Sequence, residues 1–145
     1  MCTGAVMTHP TVSSSLDTID DSPFHSGERE IQSRLGARAQ IEKFGKKVIR
    51  DFMPEQHRDF YSQLPFLILG HCDKDGWPWA SIIAAPQGFI SSPDDKHLNI
   101  GIEPISGDPL ATSLAPDLPI GVLGIEPLTR RRNRLSTRVS QTEAN

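Results

Sequence analysis

At Pro65 the hydrophobic spacing of the chain changes, and no other feature of the sequence restricts the fold as strongly. Upstream, Ile31, Leu35, Ile41, Phe44, Val48 and Phe52 recur at roughly helical spacing, with Arg34, Arg38, Lys43, Lys46, Lys47 and Arg50 mostly between them. This predicts an amphipathic helix over about 28–52, capped by Ser26 or Gly27, with Glu28 and Glu30 in its first turn. Gly36 and Gly45 weaken it and mark a kink. Pro54 opens a second short helix and Pro65 ends it. Downstream, FLILGHC (66–72) is a continuous apolar run of strand length. DKDG (73–76) is a hairpin turn in which Gly76 takes a positive φ, and WPWASIIAA (77–85) is the partner strand, with Pro78 at its start.

The rest of the chain stays on the β side of that change. A loop with a short strand follows in PQGFISSPDDK, then an alternating strand in HLNIGIE (97–103). GDPLATSLAPDLP (107–119) reads as a loop holding one or two helical turns, with Asp108 as cap and Pro109 at the first helical position. IGVLGIEPL (120–128) and TRRRNRLSTRV (129–139) are two further strands. Leading helices followed by about five closely connected strands predict a mainly β, α+β fold: a small antiparallel barrel with N-terminal helices. No regular helices separate the strands, so the pattern does not read as a doubly wound sheet. A strand at the C-terminus is expected to leave a free edge unless a partner chain or further sequence covers it.

The 145 residues suit one domain of ordinary size. Residues 1–22 mix Ser, Thr, Pro and Asp with few large apolar groups and read as a flexible tail, 23–139 as the ordered domain and 140–145 as a polar end. A net charge of −3 argues against nucleic acid as a partner. No basic-then-apolar leader and no stretch of about 18 apolar residues is present, so neither a secretory signal nor a membrane partner is expected. With only Cys2 and Cys72, no structural disulfide is expected, and a reducing, cytoplasmic compartment is the default.

Two constellations carry chemistry. Arg130, Arg131, Arg132, Arg134 and Arg138 fall within the eleven positions 129–139, which hold no acid. On a strand, Arg130, Arg132 and Arg134 share one face while Arg131, Asn133 and Leu135 share the other. Guanidinium forks suit phosphate; a solvated strand charged against edge-to-edge aggregation fits the same pattern. In WPWASII, Trp77, Trp79 and Ser81 point one way and Ala80 and Ile82 the other. Indole, hydroxyl and strand-edge amides suit a flavin-type ring, and tryptophan as core filler suits the pattern equally. DKDG lacks the later ligands of a calcium loop, and His71 beside Cys72 faces the opposite way on a strand, so no metal site is read. No nucleophile–base arrangement, dinucleotide fingerprint or P-loop is present.

Taken in order, SPFHSGEREIQSRLG, IRDFMPEQHRDFYSQLPFLILG, DGWPWASII, GFISSPD, GDPLA and GVLGIEPLTRRRNRL resemble the pyridoxamine 5'-phosphate oxidase-related flavin-nucleotide-binding family, over about residues 22–139. The resemblance implies a split β-barrel that binds FMN at a homodimer interface and acts as a flavin-dependent oxidoreductase on a small-molecule redox substrate. It implies Trp79, Ala80, Ser81 and Ile82 beside the ring, and Arg131, Arg132, Asn133 and Arg134 near the cofactor, with no catalytic side chain assigned. Relatives continue past the arginine strand with further strands, whereas this chain ends at Asn145. The alternative is a non-enzymatic dimeric split-barrel module that has lost the cofactor or binds another anionic ligand.

Overall fold

The computed structural model describes residues 5–8 and 21–142. The chain divides into two units, Thr11–Asp51 and Met1–Pro10 with Phe52–Asn145. In the first, the expected long helix is two helices, α1 (Ser26–Arg34) and α2 (Arg38–Val48). The break is Gly36, whose φ of 66° no right-handed helix accepts. α1 is capped by His25 rather than by Ser26 or Gly27. His25 Nδ1 accepts from the Gly27 and Glu28 amides, and the Glu28 carboxylate accepts from the His25 N–H, closing a capping box. Gly45 stays inside α2, and the Phe24 ring packs where a side chain would stand. Of the apolar positions of the helical pattern in this unit, Ile31, Leu35, Phe44 and Val48 are exposed and Ile41 is partly buried.

The second unit is an antiparallel sheet with two short helices. Among the described residues its strands are β1 (Ala5–Thr8), β2 (Phe66–Cys72), β3 (Pro78–Ala84), β4 (Ile90–Ser91), β5 (His97–Ile100), β6 (Pro119–Glu126) and β7 (Arg131–Thr142). Their order is β3-β2-β6-β7-β1-β5-β4. The edges are therefore β3 and β4, and no ladder joins them among the described residues. The free edge expected at the C-terminal strand is absent, because β1 pairs with β7 on one side and β5 on the other. Residues 5–8, expected to belong to a flexible tail, form strand β1; the remaining tail residues, 1–4 and 9–20, and the end, 143–145, lie outside the described residues.

Helix α3 (Glu55–Ser62) and helix α4 (Pro109–Ser113) lie against the sheet, α3 near β4 and α4 near β3. The core runs along one side of the strands: Leu67 and Leu69 of β2, Ile83 of β3, Ile120 and Val122 of β6, Val139 of β7, with Phe60, Tyr61 and Leu64 closing over it. Gly124 of β6 lets the α3 segment approach, since a Cβ there would meet Leu64, Tyr61 and Phe60 at 2.7–3.0 Å. No helix among the described residues is long and apolar enough to cross a membrane.

Candidate functional site

The strand alternation that builds the core also builds a second, open face. Residues of opposite parity to Leu67, Ile83, Val122 and Val139 form rows across four strands. One row is Ile82–Ile68–Leu123–Arg134 and another is Ala80–Gly70–Gly121–Ser136; with the same parity Ala84 pairs with Phe66, Ile125 with Arg132, Pro78 with Cys72 and Pro119 with Arg138. Both rows begin apolar on β3 and end polar on β7. Ile82 is 58% exposed, although such a residue at the middle of a strand ordinarily seeks cover. In the second of these rows, Gly70 and Gly121 have no side chains and leave a trough. It has a volume of about 410 Å³, and Gly70, Gly121, Cys72, Trp79 and Ser136 are among the residues lining it. That volume falls inside the range of small-molecule sites.

The two ribbons singled out in the sequence are not neighbours. β2 and β6 lie between β3 and β7, three inter-strand spacings or roughly 14 Å. The candidate residues also divide between the two faces. Ala80 and Ile82 lie on the open face with Arg132 and Arg134; Trp79, Ser81, Arg131 and Asn133 have the core-side parity. Reading the indoles as core filler is excluded, since Trp77 and Trp79 are 68% and 46% exposed. Trp79 is nonetheless tethered. Its indole N–H donates to Asp73 Oδ2 at 2.8 Å, while the Asp75 and Trp77 amides donate to Asp73 Oδ1. The Trp79 hydrogen bond, joined by those of the backbone amides, holds the Asp73 carboxyl below its ordinary value. Gly76 closes this turn at φ 85°.

Ser81 is occupied as well. It is 3% exposed and donates its hydroxyl proton to Asp108 Oδ1 at 2.5 Å. Asp108 caps α4, accepting from the Leu110 amide at 2.8 Å. His71 Nε2 lies 3.3 Å from Ser81 Oγ. A hydroxyl has one proton, so the histidine must be the donor. That fixes the Nε2–H tautomer and leaves Nδ1 an acceptor, buried and without a partner among the described residues. His71 is itself 5% exposed. The chain His71–Ser81–Asp108 thus links β2, β3 and the start of α4. Sequence reading found Asp108 as a cap and set His71 aside as a metal ligand. What brings them together is diagonal pairing across the hairpin, Leu69 opposite Ser81 and His71 opposite Trp79.

Arg130, Arg131, Arg132 and Arg134 form no ion pair with an acid among the described residues. Arg131 stands over the Phe60 ring, 5.0 Å from its centroid, and Arg138 donates to the Asp117 carbonyl. The strand therefore carries positive charge that the described chain does not neutralise. Comparison with known proteins adds no further constraint: no family model, no curated protein and no solved structure matches the chain.

Proposed function

We propose that the chain is an FMN-binding protein, a flavin-dependent oxidoreductase with a split-barrel domain that works as a homodimer. The observation that carries the reading is the open face of β3, β2 and β6, whose apolar rows each run toward a polar or arginine side chain of β7. A flavin mononucleotide has the matching composition, a planar ring with apolar faces joined to a dianionic phosphate. Cys72, Pro78 and Pro119 would bear the ring in the trough floored by Gly70 and Gly121, with Ile82, Ala80, Ile68 and Leu123 on the open face beside it. Arg132 and Arg134 would hold the phosphate. Their lack of acid partners is what a phosphate site requires, since a guanidinium already paired gains little from a second anion.

Ser81 and Trp79 would act at one remove. Their polar groups are taken by Asp108 and Asp73, so they would hold β3 and its turn in place rather than hydrogen-bond the ring. When bound, the flavin supplies the electron transfer, and the chain's part is binding, orientation and exclusion of water. A second copy laid over the same open face would exclude that water and cover Ile82.

The experiment is titration of the purified chain with FMN, followed by quenching of flavin fluorescence, for the wild type, Arg134→Ala and Gly121→Val. A Cβ at Gly121 meets nothing closer than the Gly70 carbonyl at 3.9 Å. The valine therefore fills the trough while the sheet keeps its register. Wild type should bind, Gly121→Val should not, and Arg134→Ala should lose about 1.5–3 kcal/mol. Equal binding by all three would remove the open face from the site. Failure of the wild type to take up FMN would leave the alternative, a dimeric module for another anion.

A further inference from the structure

The two faces of β7 separate its arginines. Arg132 and Arg134 have the parity of the open face, while Arg131 and Asn133 have that of the buried Thr137 and Val139. On this second side Phe60 of α3 lies under the Arg131 guanidinium of β7. Gln56, His57, Phe60, Arg131, Arg132 and Asn133 line a hollow of about 190 Å³. No carboxylate lines it. The acids on the adjoining elements are Glu55 and Asp59 of α3 and Glu126, the register partner of Arg131, whose carboxylate accepts the Thr129 hydroxyl.

The geometry points to a binding site in this hollow for a small oxyanion of the phosphate class, either free phosphate or the terminal phosphate of a monoester. Three observations converge on it. The Arg131 guanidinium is positioned by the Phe60 ring and has no acid partner. Asn133 and Gln56 add carboxamide donors. Gln56 also lies in the first turn of α3, whose dipole favours an anion, while the His57 amide of that turn is taken by the Pro54 carbonyl. Size narrows the ligand further. The hollow is smaller than the roughly 300 Å³ at which pockets for organic ligands begin, so it fits the anion and not a nucleoside. The inference goes beyond the flavin reading and does not rest on it: Arg131, Asn133 and Gln56 carry it, and of the residues assigned to the flavin the hollow shares Arg132 alone.

Isothermal titration of the full chain with inorganic phosphate tests it. Saturable binding is expected in the wild type, weakened ~10-fold or more in Arg131→Ala, as the loss of a charge-assisted hydrogen bond requires. Binding should be abolished in Gln56→Glu, which brings a carboxylate to the hollow, and unchanged in Arg134→Ala. Phenyl phosphate titrated in parallel separates the sources: tighter binding than phosphate assigns the hollow to a monoester terminus, weaker binding to the free ion. No saturable phosphate binding by the wild type would overturn the assignment, as would equal losses in Arg131→Ala and Arg134→Ala. Failure to take up FMN leaves this result standing, and a missing phosphate site leaves the flavin titration standing.

Discussion

Replacing Ser81 by alanine removes one oxygen and disturbs three elements. The hydroxyl serves both His71 Nε2 and Asp108 Oδ1. Without it, His71 keeps a buried N–H with no acceptor, beside an Nδ1 that already lacks a partner among the described residues. Asp108 retains its cap on the Leu110 amide and is partly exposed, so water repays some of its loss. A hydrogen bond to a charged group contributes about 1.5–3 kcal/mol, and a buried donor left unpaired costs about 1–3 kcal/mol. Allowing for partial hydration of Asp108, the expected loss is about 2–4 kcal/mol. At a urea dependence of about 2 kcal/mol per molar, the unfolding midpoint falls by about 1–2 M. Trp77 and Trp79, the chain's two tryptophans, report the transition by fluorescence from the same hairpin. Ser81→Thr, which keeps a hydroxyl on a strand, should retain most of the stability. Asp108→Asn, which keeps the capping oxygen and loses the charge, should fall between. A loss below about 0.5 kcal/mol in Ser81→Ala would refute the bridge and, with it, the tautomer assigned to His71.

Other consequences follow from close packing and from charge. Gly124→Ala should cost about 1–3 kcal/mol by overpacking against Leu64, Tyr61 and Phe60, measured by the same urea titration. Tyr61→Phe should raise stability by about 1 kcal/mol, because the buried Tyr61 hydroxyl has no partner among the described residues and burial already pushes its ionisation up; a loss would reveal a partner for it. Asp73 gives a pH signature. Its folded carboxyl titrates below its ordinary value, chiefly through the Trp79 indole. Its contribution is therefore present above pH 3.8, the ordinary value, and disappears as pH falls through the folded one. Trp79 fluorescence should change across that acid window in the wild type and not in Asp73→Ala.

The hairpin was legible in the sequence almost to the residue, because each of its signals is local: an apolar run, a DG turn, and a proline where a strand can begin. The Asp108 cap was legible for the same reason. β1 was not. Four residues, AVMT, carry too short a pattern, and the partner strands β5 and β7 lie about 90 and 130 positions further on. The divided helix escaped because a glycine inside a helical pattern signals weakness without saying whether the chain bends or reverses. The separation of the tryptophan and arginine ribbons is a matter of strand order. Composition says which strands exist, while the pairings that insert β2 and β6 between β3 and β7 depend on contacts far apart in sequence. Parity along each strand was readable, and it is parity that divides Arg131 from Arg134 and Ser81 from Ile82.

Native mass spectrometry of the chain, purified and incubated with FMN, tests the central proposal most directly. The account predicts a dimer carrying one FMN per chain, with Ile82→Asp reduced to a flavin-free monomer because its carboxylate enters the apolar rows. A wild-type monomer without bound flavin, or an Ile82→Asp protein that still dimerises and binds FMN, would contradict it.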